Sequence, residues 1–311
     1  MPKIPNPTDP TLAAADAAMV AGQSRYKRKY LGMSAIGDPC ERKLWYGFRQ
    51  ALTVTFDAPT LKRFEDGHRT EDLIIARLRR VNGLEIHDRG DDGRQLGAKL
   101  LGGHFAGHYD FMVQGLIQAP KAWHVGEVKC TAKLSDLEKA KADLGEKNAL
   151  LKWSETYYGQ AQCYMHLEQV DRHWLVATSP GGRDWTSVRT EYDPVAAMRL
   201  IGKADRIIFN EEAPPRIAES ETFWLCRWCD YSDICHGTAI PERACRNCLH
   251  GTPVPDGDAK WTCAVAEFGS VCPQHRFLPS LINGQQVDVR GDAIVYEMKD
   301  GVEYVDNGPS E

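Results

Sequence analysis

The chain has 311 residues, with 38 lysines and arginines against 43 aspartates and glutamates, a formal net charge of −5. This balance excludes a protein that holds nucleic acid by overall basicity, although it leaves room for a local basic patch. An apolar fraction of 42% is ordinary for a soluble globular protein, and no long apolar run predicts a membrane span. The amino terminus MPKIPNPTDP lacks the apolar region of a secretory signal, so we expect a cytoplasmic protein.

The predicted elements run from helices to strands and back, which indicates an α/β fold. Composition or helical spacing of apolar residues predicts helices in residues 11–22, 40–50, 60–81, 133–144, 153–167 and 193–210. Short alternating or apolar segments bounded by glycine or proline predict strands in residues 84–90, 95–103, 104–115, 122–130, 172–179 and 184–192. Small strands are expected at 286–290, 293–298 and 302–305.

The composition changes near residue 240, where helix signals give way to glycine, cysteine and turn residues. This change predicts a larger domain of residues 1–239 and a small cysteine-rich domain of residues 240–311. A domain this small buries little apolar surface of its own, so metal ligation is the expected source of its stability.

Charged residues interrupt two neighbouring predicted strands. Asp110 lies in GHYDF, and Glu127 and Lys129 lie two residues apart in WHVGEVKC, where they share one face of the strand. If the two strands pair antiparallel, Asp110 approaches Glu127, and the two carboxylates form a site for a hard divalent cation such as Mg²⁺ or Mn²⁺. Lys129 can then position or activate water and offset charge on a phosphate oxygen. The alternative is that these residues are surface charges of an edge strand.

The wider pattern resembles the PD-(D/E)XK nuclease superfamily, in particular its RecB-like exonuclease branch. The motifs that carry this resemblance appear in the expected order, namely GHRTE with His68, GHYD with Asp110, EVK with Glu127 and Lys129, and GQAQCY with Gln160 and Tyr164. The resemblance implies a restriction-endonuclease-like core, in which helices flank a mixed central sheet.

The resemblance also implies a role for each matched residue. The implied metal ligands are His68, Asp110, Glu127 and the backbone carbonyl of Val128. Lys129 would be the catalytic lysine, while Gln160 and Tyr164 would face the site and contact DNA or orient that lysine. Glu71, one helical turn after His68, is a candidate partner behind the ligands.

A first group of cysteines follows the predicted nuclease core. The segment LCRWCDYSDICHG supplies a C-x2-C-x5-C array of Cys226, Cys229 and Cys235. In a reducing cytosol such a cluster is read as a metal site, and a fourth thiolate has to come from elsewhere. Cys40 is the best candidate, because it follows the turn-forming residues GDP.

This arrangement is similar to that of the CRISPR-associated RecB-like exonucleases and AddB-type nucleases. That similarity implies a 4Fe–4S cluster that links the two ends of the nuclease domain. A zinc site built from the same four cysteines is the alternative.

A second group of ligand residues occupies the predicted small domain. Its candidates in CRNCLH, WTC and CPQH are Cys245, Cys248, Cys263, Cys272 and His275. Their spacing predicts a zinc-ribbon-like site for structural Zn²⁺, with the four cysteines favoured and His275 as the substitute.

Together these observations predict a Mg²⁺- or Mn²⁺-dependent DNA exonuclease that acts in recombination, replication or repair. Its partner would be DNA, and a phage-encoded origin is compatible with this function. An interaction with another recombination or replication protein also fits this role, and the oligomeric state is open. The alternative is a non-catalytic DNA-binding or interaction module whose metal sites are structural. A third hypothesis is that the chain is a redox-sensing iron–sulfur protein.

Overall fold

The computed structural model describes residues 9–24 and 27–309. The first eight residues, on which the expected absence of a secretory signal mainly rests, lie outside this part. Within the described ranges, no helix combines the length and hydrophobicity needed to cross a bilayer.

Most predicted helices are confirmed to within a few residues. The α-helices are α1 (Pro10–Gly22), α2 (Glu41–Phe48), α3 (Ala58–Leu78), α4 (Leu134–Leu144), α5 (Glu146–Trp153), α6 (Glu155–Glu168), α7 (Pro194–Phe209) and α8 (Ser232–Cys235). Asp193 caps α7 as predicted, accepting hydrogen bonds from the backbone N–H groups of Val195 and Ala196 at 2.9 and 3.0 Å. The short helices α5 and α8 were not predicted, because their few residues give almost no periodic signal.

The predicted strands are also found, but one of them is broken in two, and three short strands at 31–32, 251–253 and 261–263 were not predicted. The strands are β1 (Leu31–Gly32), β2 (Glu85–His87), β3 (Gly97–Leu100), β4 (Phe105–His108), β5 (Phe111–Gln114), β6 (His124–Cys130), β7 (Arg172–Thr178), β8 (Trp185–Glu191), β9 (Gly251–Pro253), β10 (Trp261–Cys263), β11 (Gly284–Arg290), β12 (Ala293–Met298) and β13 (Glu303–Asp306). The single strand predicted at 104–115 was wrong, because it breaks at Tyr109 and Asp110 into β4 and β5. These two strands belong to different sheets, so Asp110 lies in the bend between them.

The central sheet is mixed and has the strand order β2-β5-β6-β7-β8. β6 and β7 run parallel, whereas the other neighbouring pairs are antiparallel. One face packs against α3, where Ile74 and Leu78 meet Phe111 and Val176. Residues of α4, α5 and α6 cover the other face, with Leu150 and Met165 against Leu175. This two-sided cover explains why the middle of β7 is continuously apolar from Trp174 to Ala177.

Three smaller sheets surround this centre. β1, β4 and β3 form one sheet, β9 and β10 form a hairpin, and β11, β12 and β13 form an antiparallel meander. Their apolar side chains join those of α2 and α7 in one hydrophobic cluster.

That cluster crosses the predicted domain boundary at residue 240. It contains Trp45 from α2 together with Trp261 and Tyr296 from the carboxy-terminal part. The buried guanidinium of Arg49 lies 5.7 and 5.3 Å from the ring centres of Trp45 and Trp261, and it donates to the carbonyl oxygen of Asn210 at 2.8 Å. The two-domain division stays a prediction, but its proposed parts share one core.

Glycine at position 126 is required by close packing inside the central sheet. Gly126 pairs with Phe111, and a Cβ atom at position 126 would overlap the Phe111 ring.

We therefore expect Gly126→Ala to lower the free energy of unfolding by about 1–3 kcal/mol in urea titrations. Gly202 in α7 has room for a Cβ, so Gly202→Ala should instead add about 0.5–1 kcal/mol through helix propensity. Equal effects of the two substitutions would contradict this packing argument.

Candidate functional site

The bend after β4 brings Asp110 onto the strand that carries the other charged residues. β5 and β6 pair antiparallel, as the site prediction required. The Asp110 side chain is 7% exposed, and its Oδ2 accepts a hydrogen bond from the backbone N–H of Val128 at 2.7 Å. This bond fixes one carboxylate against the backbone between Glu127 and Lys129.

Glu127 is the second carboxylate, and it is only 4% exposed. Its Oε1 accepts from the ammonium of Lys129 and from Nε2 of Gln160, the latter at 3.1 Å. Its Oε2 is buried without a hydrogen-bond partner among the described residues. A buried carboxylate oxygen is costly to leave unpaired, so Oε2 is chemically suited to a further cation or donor.

Gln160 and Tyr164 lie one turn apart on α6, and both are buried. Gln160 Nε2 also lies 3.3 Å from the Tyr164 hydroxyl, which in turn donates to the carbonyl oxygen of His108 at 2.7 Å. The pair therefore links β4 to Glu127 and holds that carboxylate in place. Of the two implied roles, orientation of the charged groups fits this burial better than contact with DNA.

The acidic groups open into a cleft of about 230 Å³ beside α3. The residues that define its chemistry are His68, Glu71, Asp72, Arg89 and Asp110. His68 is exposed and thus reachable by a ligand in the cleft. The sequence predicts only a supporting role for Glu71 and does not point to Asp72 or Arg89. The spacing of His68, Glu71 and Asp72 on one helix is the signal that could have included the two acids.

Burial raises the pKa values of three carboxyl groups of the site, those of Glu127, Glu71 and Asp110. Burial raises the pKa of Glu127 to about 8, and the charges of Asp110 and Glu71 act in the same direction. Burial, followed by repulsion from Asp110, raises the pKa of Glu71 to about 7, and burial also raises the pKa of Asp110. The site therefore holds more negative charge than it can easily stabilise, which favours binding of a cation.

Lys129 is the cation already present. Burial lowers the pKa of its amine, but attraction from Glu127 and Asp110 outweighs burial and leaves this pKa raised. Its side chain is 21% exposed, and its Nζ lies 5.2 Å from the ring centre of Tyr157. Lys129 is thus a persistent and partly exposed ammonium group, a state suited to binding an anion and unsuited to accepting a proton.

The four residues of the first cysteine group lie close together. Cys40, Cys226, Cys229 and Cys235 line a common cavity of about 40 Å³. The backbone N–H of Lys43 donates to Cys40 Sγ at 3.4 Å, a contact that favours a thiolate. Burial raises the pKa of the Cys40 thiol, and the nearby Asp38 and Cys235 add to this effect. Each of the other three thiols is close enough to Cys40 to interact with it electrostatically.

The second group also shares one cavity, of about 10 Å³, lined by Cys245, Cys248, Cys263, Cys272 and His275. His275 is buried, and both of its ring nitrogens have partners. Nδ1 lies 2.8 Å from a guanidinium nitrogen of Arg243, while Nε2 lies 3.0 Å from the side-chain oxygen of Asn247. His275 is thus a hydrogen-bonded residue of this cavity, and the zinc ligand set stays a prediction.

In residues 9–24 and 27–309, no three His, Cys, Asp or Glu side chains stand in a geometry that could hold a metal ion. Ligation at the acidic cleft or at either cysteine cavity would thus require side-chain rearrangement. The donor types nevertheless fit the expected ions, with oxygen for Mg²⁺ or Mn²⁺ and sulfur for iron or zinc.

No protein-family model and no curated protein matches the chain. Among solved structures, an alkaline exonuclease from Laribacter hongkongensis is similar at 15% identity, over 61% of this chain and 90% of that one, with a TM-score of 0.41. A phage-related exonuclease from Haemophilus somnus 129PT is similar at 14% identity, over 47% and 69%, with a TM-score of 0.33. TM-scores below 0.5 do not establish a shared fold, so the chemistry of the cleft has to be argued from its own residues.

The raised carboxyl pKa values predict how stability depends on pH. Because the folded pKa of Glu71 exceeds the unfolded value, its contribution to stability is present at low pH and is lost as pH rises through about 7. In the presence of chelator, Glu71→Gln should reduce the loss of stability between pH 5 and pH 8 by about 1 kcal/mol, allowing for solvent screening. Chemical denaturation at several pH values measures this slope. The exposed control Glu138→Gln on α4 should leave the slope unchanged.

Proposed function

We propose that the protein is a divalent-metal-dependent deoxyribonuclease of the PD-(D/E)XK type, acting as an exonuclease. The observation that carries the proposal is the contact of Asp110, Glu127 and Lys129 around β6, beside the acidic cleft that Asp110 lines, with Gln160 of α6 holding Glu127. Surface charges of an edge strand would not be buried and mutually hydrogen-bonded in this way.

Asp110 and Glu127 would bind Mg²⁺ or Mn²⁺, assisted by His68 and the carbonyl of Val128. Glu71 adds a third carboxylate to the same cleft. The ion supplies Lewis acidity toward a phosphate oxygen and neutralises the excess negative charge of the site.

The protein's own groups divide the remaining work. Lys129 remains protonated, so it binds a non-bridging phosphate oxygen and orients water. Glu71 lines the same cleft as Asp110 and is the carboxylate proposed to accept the proton of the attacking water. Gln160 and Tyr164 keep Glu127 in position throughout.

The two cysteine cavities are proposed to hold different metals. We assign a 4Fe–4S cluster to Cys40, Cys226, Cys229 and Cys235, because the larger cavity joins the start of α2 to the segment after α7. We assign one Zn²⁺ to Cys245, Cys248, Cys263 and Cys272, whose cavity is about the size of a single ion. Both sites would be structural, since neither contributes to the acidic cleft.

Loss of either carboxylate or of the lysine should abolish cleavage. We expect Asp110→Ala, Glu127→Ala and Lys129→Ala each to lower the rate by at least about 10²-fold, because each removes charge stabilisation at the phosphate. The assay compares end-labelled linear DNA with closed circular DNA, with Mn²⁺ and with chelator. The exposed Lys139→Ala on α4 is the matched control.

An exonuclease degrades only the linear DNA and stops when chelator is added. Cleavage of the circle would identify an endonuclease instead. DNA binding with no cleavage by the wild type in either metal would favour the non-catalytic module.

The metal assignments predict separable losses. Protein purified without oxygen should contain about four iron and four sulfide per chain, together with about one zinc. Cys226→Ser should lose the iron and its visible absorption but keep zinc, whereas Cys245→Ser should do the reverse. Two zinc ions and no iron in the wild type would overturn the iron–sulfur assignment.

A further inference from the structure

A second cavity, of about 430 Å³, lies between the start of α2, the start of α6 and one face of α7. Its basic lining comes from α7 and consists of Arg199, Lys203 and Arg206. These residues follow each other at spacings of four and three, so they project from the same face of the helix. Binding sites for small molecules span roughly 300–1,000 Å³, so this cavity can hold more than a single ion.

The positive charge of this cavity is only partly balanced. Arg206 pairs with Glu41 at 2.9 Å, and Glu155 also lines the cavity. Arg199 is exposed and has no hydrogen bond or ion pair within the described part of the chain. Three cations therefore face two carboxylates, which leaves room for one anionic group.

Lys203 is the most confined of the three cations. Its Nζ donates to the backbone carbonyl oxygen of Asp38 at 2.5 Å, which leaves further N–H groups free to bind a ligand. Burial lowers the pKa of Lys203, with a smaller effect of Arg199 in the same direction, and the charges of Glu41 and Asp38 offset only part of this. An anion in the cavity would relieve both effects.

The cavity lies across α6 from the proposed active site. Tyr157 and Gln160 of α6 face Lys129 and Glu127, whereas Tyr158 and Gly159 line the cavity on the other side. A nucleic acid strand is long enough to contact both places at once, so the cavity can bind the substrate away from the cleaved bond.

Resting on the nuclease function proposed above, we infer that this cavity binds a backbone phosphate of the DNA substrate at a distance from the cleaved bond. Arg199 and Lys203 contact that phosphate directly, and Arg206 is held ready by Glu41. The cavity thereby fixes the DNA across the amino-terminal end of α6.

Binding measurements without turnover test this inference. Fluorescence anisotropy of a labelled oligonucleotide is followed at several salt concentrations, using the inactive Asp110→Asn protein with chelator. Adding Arg199→Gln and Lys203→Gln together should weaken binding on the order of tenfold at low salt. The slope of log affinity against log salt should also fall by about one to two. The exposed Arg290→Gln on β11 should change neither quantity.

Lys203→Arg keeps the charge and should retain the slope, which separates loss of a phosphate contact from a change in folding. If the double variant unfolds by circular dichroism, Arg199→Gln alone decides, since its side chain is exposed. Inorganic phosphate is also added as a competitor of the labelled oligonucleotide. Unchanged DNA affinity and slope in the double variant overturn the inference. A double variant that is no longer displaced by phosphate but binds DNA as before overturns it too. A wild type that binds DNA with this salt dependence yet never cleaves it sinks the nuclease proposal and leaves the cavity assignment standing.

Discussion

Two carboxylates and one ammonium are held away from water around β6, and the free energy of that desolvation constrains the structure around them. Isolated charges in such a place would be prohibitively costly, so each must find partners of opposite charge or good hydrogen bonds. Asp110 has the Val128 N–H, and Glu127 has Lys129 and Gln160. One ammonium cannot neutralise both carboxylates together with Glu71. The folded protein therefore carries excess negative charge where the cleft opens, and a bound cation would neutralise it.

The main contact of this site can be predicted from the sequence, because it follows from the pairing of two strands that are neighbours along the chain. Two consecutive strands with a short connection tend to pair antiparallel, which brings Asp110 to Glu127 whatever the rest of the fold does. The break at Asp110 was not predictable in the same way. Alternation continues without interruption through residues 104–115, and the change of sheet depends on β1 and β3, which pair with β4 from elsewhere in the chain.

The cysteines show a similar limit. Their clustering predicted two groups, and a turn before Cys40 was enough to associate it with cysteines almost two hundred residues later. The engagement of His275 was hidden, because its partners Arg243 and Asn247 are ordinary polar residues in the sequence. The shared core was hidden too. A change in amino-acid composition suggests a domain boundary near residue 240, but it does not show that Trp261 packs beside Arg49.

A single short segment separates the cysteine cavity from the basic cavity. Along residues 37–41, Asp38 and Cys40 line the first cavity, while Gly37, Pro39 and Glu41 line the second. Gly37 packs so tightly on the start of α6 that a Cβ would collide with the backbone of Thr156. This segment is therefore a common wall with little freedom to move. A substitution in this segment would change the lining of both cavities. We therefore expect the residues around the two cavities to vary together among related proteins.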